Sequence, residues 1–278
     1  MEASDTPLAS FETKWIEARP EFALALRFEP ESERAARSAF GCLVFEIEHA
    51  AFGIREMQPA AIKLQWWAEE LARAGTGNAR HPLTQALSQR FADAAVPIAR
   101  WQQAILGAMA QRDPEPAADS RALLEGYSEL YAPLGAIEGS LFGTDADAVA
   151  GVLSRARALR ETAALSSALR DGKQPLPLDL LAAHRLARGD LAEVSRSRSL
   201  ALGEWLRRLA SELEASVAKP PDARALGTLR STMAAADAKR ARRAASAGDP
   251  LAELGGALAR LSFADVWAAW RAARRSRR

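Results

Sequence analysis

Apolar side chains recur along this chain at three- and four-residue intervals, and prolines and glycines break the pattern into segments. Phe40, Leu43, Val44 and Ile47 fall at i, i+3, i+4 and i+7, one face of a packed helix, and predict a helix over about 31–52 entered through Pro30. A short amphipathic stretch over 7–19 precedes it and ends at Pro20. The next helix begins near Pro59, since proline is favoured at the first helical position. It runs to Ala74 and stops in Gly75-Thr76-Gly77-Asn78. Further helices are predicted over 82–92, 95–111, 119–132 and 133–142, with Asp113-Pro114-Glu115-Pro116 as a break. Asp145 or Asp147 caps another, running to about 169, and Gly172 to Pro177 is a loop. Segments 177–186, 191–217, 222–245 and 250–274 complete the set, with Pro220-Pro221 and Gly248-Asp249-Pro250 as hinges. No repeat of fixed period and no sustained heptad seam is present. The pattern gives ten to twelve helices in one all-α domain spanning 1–278.

Composition sharpens this reading. Alanine occupies 63 of the 278 positions, whereas Val, Ile and Thr together supply only 22. Strands favour β-branched residues and helices favour alanine, so a sheet-built protein is excluded. The longest stretch free of Asp, Glu, Lys and Arg is the eleven residues Trp101 to Gln111, too short to span a bilayer. Met1 to Asp5 lacks the basic and apolar regions of a secretory signal. Cys42, the single cysteine, cannot form an intramolecular disulfide and sits in an apolar run as a core thiol. The expected compartment is cytoplasmic. The net charge of +2 conceals a polarity: residues 224–278 carry 12 of the 37 basic and 4 of the 35 acidic side chains, a net of +8 against −6 for the rest.

The predicted first long helix has one oddity. In the apolar run from Phe40 to Phe52, Glu46, Glu48 and His49 interrupt, and a buried carboxylate needs a cation, a donor, water or a metal. Glu46 and His49, three apart, share a face, with Glu48 roughly opposite. The plain alternative is a solvent-facing edge. Glu-x-x-His also occurs in di-iron bundles, but neither His81 nor His184 has a Glu three residues before it to supply the second pair. A second charged constellation, Arg170-Asp171-Gly172, reads first as a helix end. No nucleophile elbow and no glycine-rich phosphate loop after a strand is present.

With these segments, Phe22 to Phe28, Leu64-Gln65-Trp66-Trp67-Ala68-Glu69-Glu70-Leu71, His81-Pro82-Leu83-Thr84-Gln85-Ala86-Leu87 and Leu169-Arg170-Asp171 through Pro175-Leu176-Pro177 make the chain similar to the squalene/phytoene synthase family. The resemblance covers roughly 20–215 and is strongest to the proteobacterial and mitochondrial branch. It implies an isoprenoid-synthase-like helical bundle around a central apolar cavity, and a prenyl diphosphate or other lipid as ligand. By the same resemblance Glu46, Glu48 and Asp171 stand at the acidic motifs, Glu48 and Asp171 as metal ligands, with Phe40, His49 and Arg170 at the substrate. Family members hold Mg²⁺ on paired carboxylates four residues apart, which offsets the charge of a departing diphosphate. Here the fourth residue after Glu46 is Ala50, after Glu48 is Phe52 and after Asp171 is Pro175, so no pair is complete. Two readings follow. One is a catalytically degraded homologue that binds an isoprenoid or works through protein contacts, as the mitochondrial branch does in respiratory complex I assembly. The other is a working Mg²⁺-dependent transferase condensing two prenyl diphosphates.

Trp66 and Trp67, adjacent on one helix, are expected to divide between core and surface. The arginines from Arg271 to Arg278, beside Trp267 and Trp270, suit peripheral contact with an anionic inner-membrane surface at about 1 kcal/mol per basic residue. Without interleaved aromatics the basic cluster Lys239 to Arg243 does not suit nucleic acid.

Overall fold

In the computed structural model, residues 7–218 and 223–260 are described, together with Val266, Trp270 and Arg274. The anionic-surface expectation at 271–278 and Trp267 therefore lies mostly outside the described residues; within them, Trp270 is exposed and the Arg274 guanidinium stacks 4.6 Å from its ring centroid. All regular structure among the described residues is helical. Helices α1 (Pro7–Ala18), α2 (Pro20–Leu26) and α3 (Glu31–Glu48) lead into a π-helical turn, His49–Gly53. There follow α4 (Met57–Gly75), α5 (Pro82–Ala94), α6 (Ile98–Ala110), α7 (Ser120–Phe142), α8 (Ala146–Ala163) and α9 (Leu165–Arg170). The chain continues through α10 (Leu178–Ala183), a 3₁₀ turn (Arg188–Leu191), α11 (Arg196–Ala218), α12 (Ala223–Ala245) and α13 (Pro250–Leu258). None is long and apolar enough to cross a membrane.

The predicted starts follow local chemistry. Asp119, Asp145 and Asp249 each accept a backbone N–H of the first turn of their helices, the usual cap of otherwise orphaned donors. The helix predicted over 31–52 turns π-helical after Glu48, α2 and the 3₁₀ turn before α11 were not predicted, and two further boundaries differ from the sequence reading. Residues 120–142 form one helix and not two, because Pro133 is accommodated inside α7. Lacking an N–H, Pro133 leaves the Glu129 carbonyl without its helical donor, and there α6 approaches backbone to backbone. A Cβ added to Gly107 would lie 2.2 Å from that oxygen, so only glycine allows the contact. Conversely, the helix predicted to reach about 169 breaks at Ala164, which separates α8 from α9.

A single cluster of buried apolar side chains extends from Trp15 to Leu254 and includes Trp67, Tyr131 and Trp205. Trp67 is buried and Trp66 is 40% exposed, the division expected of adjacent helical positions. Cys42 is buried as well, and burial followed by the nearby Glu12 charge pushes its thiol up to about 12.

Several charged groups inside this core are paired. Glu138 and Arg230 form a bidentate pair at 2.6–3.0 Å. Glu70, completely buried, accepts the Arg80 and His81 N–H groups at 2.8 Å each, the Thr84 hydroxyl at 2.5 Å and Arg73 at 3.1 Å, which ties α4 to the start of α5. Burial alone would raise this carboxyl, but the donors, His81 first, outweigh it and hold Glu70 below the ordinary 4.5. A lowered folded-state value means stabilisation that is complete above about 4.5 and lost as pH falls through that lower value. Glu70→Gln should therefore destabilise the protein at pH 7 by about 3 kcal/mol, by loss of charge-assisted hydrogen bonds. It should also flatten the pH dependence of stability below about pH 4.5, as read by urea unfolding at falling pH. An unchanged pH profile would reject the assignment.

Candidate functional site

The acidic end of α3 is shaped by the π turn that follows it. Its wider ring closes through the Ile54 N–H on the His49 carbonyl at 3.1 Å. Gly53 leaves room there for the imidazole of His49, whose Nδ1 a Cβ would approach to 2.4 Å. Arg112 caps the turn, donating to the carbonyls of Ala51 and Arg55 at 3.0 Å each. Single π turns of this kind are frequent at functional sites.

Glu46 and Glu48 are both buried, and their spacing of two residues on α3 sends them to different partners. Glu46 is held between Lys14 of α1 at 2.5 Å and Lys63 of α4 at 2.6 Å. Burial raises its carboxyl, yet the two lysines outweigh that and keep it below the usual range. Glu48 accepts the Tyr131 hydroxyl at 2.6 Å and faces Arg19 at 3.6 Å. Burial and the Glu48 charge push the Tyr131 phenol well up, so it remains a protonated donor. Burial, then Lys63 and Lys14, push His49 below its ordinary value, leaving a neutral imidazole at pH 7.

Glu48 and His49 line a cavity of ≈ 290 Å³, closed on its other side by Arg157, Arg160 and Glu161 of α8, with Arg19 and Phe52 at its edges. Arg157, Arg160 and Glu161 recur at helical spacing on one face of α8, which aims them together. Arg160 is anchored by Asp237 at 2.8 and 3.2 Å and by Glu21 at 3.3 Å. Arg157 pairs with Glu161 at 3.3 Å and stacks 4.3 Å from the Phe52 ring centroid, while its Nε is buried without a partner.

The remaining sequence candidates lie elsewhere. Asp171 follows α9 and lines a separate cleft of ≈ 520 Å³, paired with Arg55. Phe52 lines both spaces; Glu48 and Asp171 do not share one. Phe40 is core, packed edge-on to Phe142 with ring centroids 5.7 Å apart. Arg170 is exposed and lines neither space. Of the six candidates, the fold thus brings Glu48 and His49 together and leaves Glu46, Asp171, Phe40 and Arg170 apart. Arg19, Tyr131, Arg157, Arg160 and Glu161 were not picked out from sequence. For Arg157, Arg160 and Glu161 the only local signal is charge recurring at three- and four-residue spacing along the otherwise alanine-rich α8; Arg19 and Tyr131 carry none.

This donor set does not suit a carboxylate-bound Mg²⁺ cluster. Among the described residues no group of three or more His, Cys, Asp or Glu side chains could hold a metal ion. Each acid implied by the resemblance is already compensated from within the chain: Glu46 by two lysines, Glu48 by a hydroxyl and an arginine, Asp171 by an arginine.

No protein-family model and no curated protein matches the sequence. Solved structures do match: the helical arrangement is that of the squalene and dehydrosqualene synthases. Squalene synthase HpnC from Alicyclobacillus acidocaldarius superposes with a TM-score of 0.62 over 90% of this chain and 92% of its own, at 14% identity. A dehydrosqualene synthase in complex with ligand superposes with a TM-score of 0.68 over 86% of this chain and 84% of its own, at 16% identity. The chain therefore has the squalene/phytoene synthase-like fold; identities this low concern the fold alone.

Proposed function

We propose that this chain is a non-condensing protein on a squalene synthase fold, which binds one anionic isoprenoid or related lipid through its own arginines. The observation that supports this most is the internal compensation of Glu46, Glu48 and Asp171. Carboxylates engaged by lysine, arginine and tyrosine are poor Mg²⁺ ligands, since the metal must displace those cations and donors. The cation needed for an anionic head group is supplied instead, beside the ≈ 290 Å³ cavity, first by Arg157, whose Nε is buried without a partner, with Arg19 and Arg160 adding positive charge around it. That volume is at the lower end for one small-molecule ligand and does not suit two long prenyl chains.

Calorimetric titration with farnesyl diphosphate tests the reading. Binding should persist when EDTA replaces Mg²⁺. It should weaken about tenfold or more in Arg157→Gln, the loss expected for one charge-assisted hydrogen bond. An absolute requirement for Mg²⁺, or affinity indifferent to Arg157, would overturn it.

A further inference from the structure

We propose that the cleft floored by Arg112, Lys173 and Gln174 is a second ligand site, built for a small organic anion: a carboxylate or phosphate with a short apolar group. It is separate from the arginine-lined cavity. Its walls are the loop after α6, the segment following the π turn, and the loop between α9 and α10. The space of ≈ 520 Å³ is continued by a recess of ≈ 60 Å³ against Leu123 and Tyr127 of α7 and Glu161 of α8, and Phe52, Pro114, Glu115, Lys173 and Gln174 line both parts.

Two features of the floor call for an anion. Arg112 is buried and its two terminal nitrogens bond only carbonyl oxygens, so its charge is hydrogen-bonded without being neutralised; its Nε is buried with no partner. Lys173 is half-buried and makes no ion pair among the described residues, because the neighbouring Asp171 carboxylate is engaged by Arg55. Burial, then the Arg112 charge, hold the Lys173 amine below the ordinary lysine value. Two neighbouring cations without a carboxylate in contact, and an orphaned guanidinium N–H, are costly unless an anion enters to satisfy them. Gln174 spends its amide N–H on the Leu176 carbonyl at 3.2 Å, and its buried Oε1 accepts only from a donor on the ligand.

The rim narrows the choice of ligand. Asp113 and Glu115 are exposed at the mouth and repel extended polyanions, which leaves a compact anion reaching past them. The recess equals the liquid share of about two waters, so it takes an alkyl end of about two or three carbons. Pro114, Pro116 and Pro175 stiffen the walls, and Gly172, at φ 79°, makes the left-handed turn that puts Lys173 inside.

Butyrate and propyl phosphate are the two probes, titrated by calorimetry into the whole chain; the tighter of them identifies the head group. Lys173→Met should weaken binding about tenfold or more, and Gln174→Glu, which places a negative charge on the floor, should abolish it. Saturating farnesyl diphosphate, directed to the other cavity, should leave it unchanged. Mass spectrometry should also show the bound probe slowing acetylation of Lys173 while other lysines react as before. Equal affinity in Lys173→Met and wild type would overturn the proposal, as would displacement of the probes by farnesyl diphosphate or no saturable binding of either probe below about 10 mM. Displacement would place the probes in the isoprenoid cavity, so failure here is distinct from failure there.

Discussion

Incubated with farnesyl diphosphate or geranylgeranyl diphosphate and Mg²⁺, this protein should release no squalene, dehydrosqualene or phytoene above the uncatalysed background. Ionisation of a prenyl diphosphate frees a leaving group carrying several negative charges, and metal ions contribute several kcal/mol to stabilising it. Every 1.36 kcal/mol is about a factor of ten in rate, so absence of the ions costs several powers of ten. Glu46 is held by Lys14 and Lys63, and Glu48 and Asp171 line different spaces. Arginines can bind the substrate in their stead. Binding ground state and transition state alike, however, does not raise turnover. The measurement is product extraction and chromatography after prolonged incubation. Mg²⁺-dependent product that disappears in both Glu48→Gln and Asp171→Ala would reinstate the condensing enzyme.

Glu138→Ala should lower stability by about 3–5 kcal/mol, the cost of leaving a buried charge unpaired. Arg230 is only 3% exposed and its guanidinium meets both oxygens of Glu138, so the remaining cation cannot reach water in the native state. For a chain of this size each kcal/mol corresponds to about 2–4 °C in melting temperature, so a fall of roughly 10 °C is expected. The double variant Glu138→Met with Arg230→Leu removes both charges and keeps the volume. It should regain most of the loss, because hydrophobic replacement of a whole buried pair is often close to neutral. Thermal and urea unfolding of the three proteins decide the matter. A mild single variant, or a double variant as damaged as the single one, would mean that the pair contributes otherwise.

The helices were legible in the sequence because their causes are local. Alanine propensity, the apolar stripe through Phe40, Leu43, Val44 and Ile47, and aspartate caps at 119, 145 and 249 act within a few residues of chain. Even the misread boundary at Pro133 has a tertiary cause, since the freed Glu129 carbonyl is met by the backbone of α6 at Gly107. Sequence spacing also showed that Glu46, Glu48 and Asp171 lack partners four residues on. It could not show what they have instead. Lys14 lies 32 residues before Glu46, Tyr131 lies 83 after Glu48, and Asp171 lies 116 after Arg55. Charge compensation acts through space, and only packing α1, α4 and α7 around the end of α3 decides which cation or donor reaches which acid. The sequence alone therefore determined a helical bundle with incomplete acidic motifs. The tertiary structure decided that the chain's own lysines and arginines occupy those acids, and that arginine and lysine floor the spaces left between the helices.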